Sequence, residues 1–152
     1  MDKLLYIPHP LLRQKAKKIE NVTSEELKIA TKMKDIILRV PGVGLAATQI
    51  GVLKQIVTIY FIDQQSNKEI QYHMFNPEII YYSKKTIIME EGCLSIPEQF
   101  AQIERPEKIK IKYLNEENQL INKEVSGVES RILQHEIDHL SGKLFVDYLS
   151  PL

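Results

Sequence analysis

One cysteine, Cys93, is all the chain has, so no internal disulfide can form and a secreted, disulfide-stapled scaffold is excluded. Net charge is lacking too. The 20 basic and 20 acidic residues cancel, leaving no bulk electrostatic pull toward nucleic acid or an anionic membrane. No apolar run is long. The longest, Ile56 to Ile62, falls far short of the ~20 residues that span a bilayer. The start, Met1 to Pro8, has neither the apolar region of a signal peptide nor Arg-rich transit character, so a cytoplasmic location is expected. Repeats, low-complexity tracts and linkers are missing as well, and residues 1–152 are expected to form one domain with a real core. What is present, 43% hydrophobic and 26% charged residues, is ordinary for a globular protein.

The segment to Asn21 is short, basic and interrupted by Pro8 and Pro10, which predicts an extended, loop-like start. A helix follows. Thr23 can cap it, and Glu26 three residues on completes a capping box. Leu27, Ala30, Met33, Ile37 and Val40 then recur at spacings of three and four, giving one apolar stripe until Pro41-Gly42 ends it. The middle is rich in strands. Gln55 to Ile62 reads as a buried strand, Gln64 to Asn67 as a turn, and Glu69 to Phe75 as the return. Glu78 to Tyr82 and Thr86 to Met89 are further candidates. Lys108 to Tyr113 alternates lysine with apolar residues, as a strand with one wet face does, and Asn115 to Asn118 turns it toward Gln119 to Val125. Ser126 and Glu129 predict a second capping box, opening a helix that Gly142 would close. On it Val128, Ile132, His135 and His139 share one stripe. Leu133, Ile137 and Leu140 form another, leaving Arg131, Gln134, Asp138 and Ser141 on a polar side. So apolar a helix belongs in the middle of a protein. The order of elements predicts an α+β fold: antiparallel strands packed around a central C-terminal helix, with the N-terminal helix outside.

The chemistry concentrates in His135-Glu136-Ile137-Asp138-His139. Side chains four apart on a helix stand above one another, so both imidazoles can close on one metal ion with Glu136 beside them to handle protons. A catalytic metal usually takes three protein ligands and keeps a position open. After His139 the chain offers no His, Cys or Glu, and Asp147 is the sole acidic candidate there. Upstream, the thiol of Cys93 is the best donor. His9, between prolines, and His73, in a strand, have no such partners and read as structural or surface residues.

Three motifs together resemble one family. Glu90-Glu91-Gly92-Cys93-Leu94-Ser95-Ile96-Pro97 resembles the cysteine motif of the peptide deformylases. Gly42-Val43-Gly44-Leu45-Ala46-Ala47-Thr48-Gln49 looks like their glycine-rich motif, and Gln134 to Leu140 like their histidine motif. The resemblance runs from about Leu5 to the last residue. It implies a metal-dependent hydrolase acting on a linear amide, removing the formyl group from the N-terminal formylmethionine of nascent polypeptides and releasing formate. It also implies a ligand set of Cys93, His135 and His139 around a divalent ion. Fe2+ comes first by resemblance, with Zn2+, Ni2+ or Co2+ able to replace it; affinity order alone would favour zinc over iron. Glu136 would take a proton from the attacking water and pass it to the departing amine. The Gln49 side-chain amide and the Leu94 backbone N–H would stabilise the oxyanion. Gly44 would touch the substrate backbone, and Val43, Val128 and Ile132 would line a pocket for the methionine side chain. Glu91 and Arg105 would pair beneath the Cys93 loop. Asp138 would either orient a ligand imidazole or face solvent.

The resemblance is incomplete in two places. Many bacterial members continue into a basic C-terminal helix associated with ribosome docking, which this sequence does not contain, so a ribosome contact stays open but loses the support of that route. Phe100 stands where several relatives carry a basic residue. The expected partner is therefore the formylmethionyl peptide of a nascent chain, with no nucleic acid or membrane partner, and the chain is expected to be monomeric. Other readings fit less well. A zinc peptidase would share His-Glu-x-x-His but needs a downstream ligand, and a non-enzymatic metal module would be expected to lose Glu136 or Gln49 first. Gly42 to Ala47 matches the G-x-G-x-x-A dinucleotide fingerprint, but a helix precedes it and a strand follows, the inverse of the required order. Lysines 108, 110 and 112 have no interleaved aromatics to stack bases and read as the wet face of a strand.

Overall fold

The computed structural model describes residues 3–149. Met1, Asp2 and residues 150–152 lie outside the described residues, and the expectations about the two ends of the chain fall there. Helix α1 (Ser24–Arg39) begins as its sequence dictates. The Glu25 amide donates to the Thr23 hydroxyl (3.3 Å), and the Thr23 amide donates to the Glu26 carboxylate (2.9 Å). Its buried face is broader than the expected stripe. Ile29 and Ile36 join Ala30, Met33 and Ile37, while Leu27 and Val40 are only partly covered. That face packs on Leu45, Ile50, Ile56 and Phe75. Burying each such side chain stabilises the fold by about 1.5–3 kcal/mol.

Among the described residues seven strands follow: β1 (Gly44–Ala46), β2 (Ile56–Ile62), β3 (Glu69–Tyr82), β4 (Thr86–Cys93), β5 (Ile96–Pro106), β6 (Lys108–Leu114) and β7 (Leu120–Ser126). Five form one antiparallel sheet in the order β1-β2-β3-β6-β7, and β4 pairs with β5 in a separate two-stranded sheet. The expected strands at 69–75 and 78–82 are one strand, bent by a register slip between Phe75 and Glu78. Asn76 makes the bend. It adopts a left-handed backbone (φ 53°), and its side-chain amide takes the Ile19 N–H (2.8 Å) and donates to the Ile19 carbonyl (2.7 Å). Asn118 (φ 59°) holds Val22 in the same way, at 2.7 and 3.0 Å. The segment before α1 is therefore tied down rather than loose. Leu12 and Ile19 are buried, and Pro10–Arg13 forms a 3-10 turn.

Helix α2 (Gly127–His139) runs through the middle. One side packs on Val57, Ile59, Met74, Ile109, Ile111 and Val125 of the large sheet. The two-stranded sheet covers another side, so Arg131 and Gln134 are buried rather than part of a solvated polar face. Their charge and amide are satisfied there, Arg131 by the Ile87 and Ile103 carbonyls (2.7 and 2.8 Å) and Gln134 by the Pro106 carbonyl (2.8 Å). The second capping box does not form. Ser126 makes no side-chain cap bond, and the Glu129 carboxylate is taken by the Tyr72 hydroxyl (2.5 Å) and Lys123 (2.8 Å) instead of reaching back to the Ser126 amide. Gly142 closes the last turn as expected, in the left-handed region at φ 75°, with its amide donating to the His139 carbonyl (3.0 Å). A Cβ at that position would collide with the Arg13 carbonyl. Among the described residues no helix is long and apolar enough to cross a membrane.

Candidate active site

Helical spacing brings His135 and His139 into edge contact on α2, ring centroids 5.1 Å apart. Cys93 arrives from the end of β4, its sulfur 3.3 Å from His139 Nε2. One donor atom from each of the three residues lies within 4.8 Å of the other two, a cluster that could hold a metal ion. The donor chemistry fits: one thiol and two imidazoles suit a transition metal rather than calcium or magnesium. Two buried polar atoms beside it, Glu136 Oε1 and His139 Nδ1, find no partner among the described residues.

Gln49 enters from the 3-10 turn Ala47–Ile50. Its Oε1 accepts from the Ala46 amide (2.9 Å), which fixes the way the side chain faces. Nε2 is thereby aimed at Cys93 Sγ (3.6 Å) and Ser95 Oγ (3.1 Å). Glu136 is buried against Gly44, where a Cβ would come 2.6 Å from Glu136 Oε2. A Cβ on Gly42 would likewise come 2.6 Å from Leu94 Cδ1. At both glycines the missing side chain makes room for side chains of the site itself, while Gly42 and Gly44 also line the cavity above it. Gly44–Ala46 is itself strand β1 and runs into a short 3-10 turn, so no helix N-terminus is presented for a nucleotide phosphate.

Beneath the cluster lies a buried polar hub. The Glu91 carboxylate accepts from Arg105 Nε (2.5 Å) and NH2 (3.0 Å) and from Arg131 NH1 (2.7 Å), and it lies 3.0 Å from His135 Nδ1. The Glu91–Arg105 pair expected from the motif is therefore present, with Arg131 as a second cation that the sequence reading missed. Glu91 occupies His135 Nδ1, so Nε2 is the nitrogen left for an ion. Asp138 orients no imidazole. Its Oδ2 takes Arg105 NH1 (2.9 Å) and the Tyr148 hydroxyl (2.7 Å), so it holds the far end of the hub. Asp147 lies away from the cluster, bonded to Arg13 (2.6 Å) and the Leu144 amide (2.9 Å). His73 bonds the Thr58 hydroxyl (2.7 Å) within the sheet, and exposed His9 caps the first 3-10 turn.

These surroundings set the charges. Burial pushes the Glu91 carboxyl up, but His135, Arg105 and Arg131 together outweigh it and hold the pKa at about 2. Burial pushes Glu136 up to about 7 despite the pull of His135. For His135, burial is outweighed by Glu136, Cys93 and Glu91, which favour its charged form. Burial and the neighbouring His135 push His139 well below its usual range, so it is neutral. A neutral imidazole is the ligating form.

A cavity of about 490 Å³ opens onto this group. Cys93, Gln49, His135 and Glu136 line its polar floor, and Leu4, Tyr6, Val43, Gly44, Leu94 and Phe100 are among its other walls. The cavity gathers some of the residues expected for a side-chain pocket and not others. Val43 lines it. Val128 lines a neighbouring cavity of about 870 Å³ that meets the first at Gly42 and Val43. Ile132 is 6% exposed and packs into the core against the sheet, since its stripe of α2 turns inward there. Ser95, fully buried under Gln49, had no signal of its own in the sequence beyond its place after Cys93.

Residues 1–152 match the family model of polypeptide deformylase. The peptide deformylase of Pelagibacter ubique is 44% identical over 151 residues, covering 98% of this chain and 86% of that protein. Among solved structures, a probable peptide deformylase from synechococcus phage S-SSM7 superposes with a TM-score of 0.90 at 33% identity, covering 97% of this chain and 99% of that one. A Met-Ala-Ser-bound peptide deformylase from Acinetobacter baumannii gives a TM-score of 0.90 at 31% identity, with 97% of each chain covered.

Proposed function

This chain belongs to the polypeptide deformylase family, whose reaction removes the formyl group from the N-formylmethionine of nascent peptides, and on that premise we propose how its residues carry the reaction. The observation that carries the proposal is the meeting of the Cys93, His135 and His139 donors within 4.8 Å, beside a Glu136 carboxylate with an unpartnered oxygen. Cys93 as thiolate, His139 and His135 would hold one divalent ion, His135 giving up its second ring proton as the ion binds, with Fe2+ the first choice and Zn2+, Ni2+ or Co2+ as substitutes. When bound, such an ion supplies Lewis acidity, making a water acidic near neutral pH and polarising a carbonyl oxygen.

The rest is the work of the chain. Glu136 accepts the proton of the attacking water and delivers it to the departing amine; its burial, which raises its pKa to about 7, suits both roles near neutral pH. Gln49 Nε2, already oriented by the Ala46 amide, donates to the oxygen of the formyl group as that oxygen gains charge, together with the Leu94 backbone N–H. One such donor is worth ~3 kcal/mol of transition-state stabilisation. Glu91 holds His135 by Nδ1 and leaves its other nitrogen free to ligate an ion. The peptide backbone passes Gly44, and the methionine side chain takes the apolar lining at Val43. The A. baumannii protein, bound to a peptide that starts with an unformylated methionine, supports a product of this kind.

The test is formate release from formyl-Met-Ala-Ser alongside acetyl-Met-Ala-Ser, with metal content measured on anaerobically purified protein. The formyl peptide should be cleaved far faster, because the extra methyl must enter space beside the Gln49 donor. Glu136→Gln should retain the ion and lose at least about a hundredfold in rate, the scale of general acid–base catalysis. Comparable rates on the two peptides, or a Glu136 variant close to wild type, would remove the basis of the proposal. Cleavage of unformylated peptides would point instead to a peptidase.

A further inference from the structure

Cys93 and the two histidines belong to different layers of the molecule. The histidines ride on α2, whereas Cys93 ends β4, one strand of a ribbon that shares no pairing with the large sheet. A two-stranded ribbon is marginally stable by itself, and a register shift between Gly92 and Cys93 takes the thiol out of its regular part. Yet a ligand set has to be held to within about 0.5 Å. The ribbon's buried apolar cluster, Ile96 and Ile103 with Leu144 and Phe145, contains no residue of α2. The ties from α2 to the ribbon are polar, and Arg131 makes more of them than any other residue of the helix. It is buried one turn before His135. Its NH1 donates to Glu91 Oε2 (2.7 Å) and the Ile103 carbonyl (2.8 Å), and its NH2 to the Ile87 carbonyl (2.7 Å). One guanidinium thus grips both strands, together with the carboxylate that faces His135.

We propose, resting on the ligand set of the reading above, that Arg131 is a positioning residue for the ion site: it clamps the ribbon to α2 and so sets Cys93 at ligating distance from His135 and His139. It touches neither ion nor substrate and acts through Glu91 and the two strands. Neutralising Glu91 does not by itself require it, because Arg105 already gives that carboxylate two donors. What Arg131 adds is reach, to two carbonyls on separate strands. A guanidinium presents five N–H donors in a planar fork and can hold three spread acceptors at once. A lysine in its place keeps the charge but is a compact point on a flexible stem. Charge and clamp are therefore separable by one substitution.

The experiment loads chelator-stripped wild type, Arg131→Lys and Arg131→Met with Co2+. Kd is measured by chelator competition, and the thiolate-to-cobalt charge-transfer and ligand-field bands are recorded. Circular dichroism of the stripped proteins reads the fold separately. Arg131→Lys should keep the wild-type fold while its Kd for Co2+ rises by about tenfold or more, the scale seen when residues that orient metal ligands are replaced. Its thiolate band should weaken or shift, because Cys93 is no longer held in place. Arg131→Met should move further in the same direction. A Lys variant that matches wild type in Kd or in its bands overturns the proposal, since charge alone would then suffice, whatever the Met variant does. A Lys variant that is unfolded without metal overturns it too, because Arg131 would then serve the fold and not the site. A wild type that binds Co2+ without a thiolate band, or binds none, would instead be a failure of the ligand set itself.

Discussion

Glu91→Gln should be among the most damaging single-atom changes this protein can suffer. Glu91 is 5% exposed and answers to three partners that are cationic or polar: Arg105 (2% exposed), Arg131 (7%) and His135 (8%). The carboxylate oxygens receive three guanidinium donors at 2.5–3.0 Å and face His135 Nδ1 at 3.0 Å. An amide keeps the shape but removes the charge and turns one acceptor into a donor that faces other donors. Breaking a buried pair from one side costs about 3–5 kcal/mol, against a total stability of about 5–15 kcal/mol. At about 2–4 °C per kcal/mol for a chain of this size, the melting temperature should drop by roughly 6–20 °C. Circular dichroism melts in chelator isolate this effect from any ion. Arg105→Met and Arg131→Met should each cost less than Glu91→Gln, because Glu91 then keeps the other arginine. A Glu91→Gln variant within about 1 kcal/mol of wild type, or a double mutant with Arg131→Met whose losses simply add, would refute the picture of one interdependent hub.

Other outcomes follow from the same geometry. Cys93→Ser should lose most of its bound ion and its activity while folding normally, as read by metal stoichiometry and circular dichroism, since a hydroxyl is a far poorer ligand than a thiolate. Gly44→Ala should keep the ion but lose on the order of a hundredfold in turnover, because its Cβ must displace Glu136. Glu26 gives a stability signal far from the site. Burial raises its pKa, but Lys54 and Thr23 outweigh this and hold it at about 2, below the usual 4.5. Its contribution is therefore fully present above about pH 4.5 and is lost as pH falls through about 2. Glu26→Gln should flatten that stretch of the stability-versus-pH curve, measured by urea titration.

The sequence was most legible where the physics is local. The Thr23–Glu26 capping box and the four-residue spacing of His135 and His139 depend on neighbours along the chain, and both appear as expected. The Glu129 half of the Ser126–Glu129 box fails because a distant hydroxyl, Tyr72, takes the same carboxylate. Arg131 and Gln134 looked like a wet face because helical periodicity cannot reveal that β4 and β5 lie over it. Strand β5 has few alternating residues and went unread, although it supplies Arg105 and Phe100. A left-handed asparagine, Asn76, made one bent strand look like two. The sequence neighbourhood of Asp138 allows either an imidazole partner or solvent, whereas its partners come from β5 and the 3-10 turn Phe145–Tyr148.

The partners within the site are far apart along the chain. Gln49 and Cys93 are separated by 44 residues, Cys93 and His139 by 46, and Glu91 and His135 by 44. No fragment that emerges early in synthesis can bring them together, so the constellation is a late product of folding. A ligand that recognises only the native state adds to stability in proportion to the logarithm of its excess over Kd, about 1.4 kcal/mol per tenfold. An ion held by Cys93, His135 and His139 would be such a ligand. A molecule that lost it would then be inactive and would also open more often, which exposes a chain to proteases. On the proposed ligand set, loss of catalysis and loss of stability would be coupled through the same three side chains.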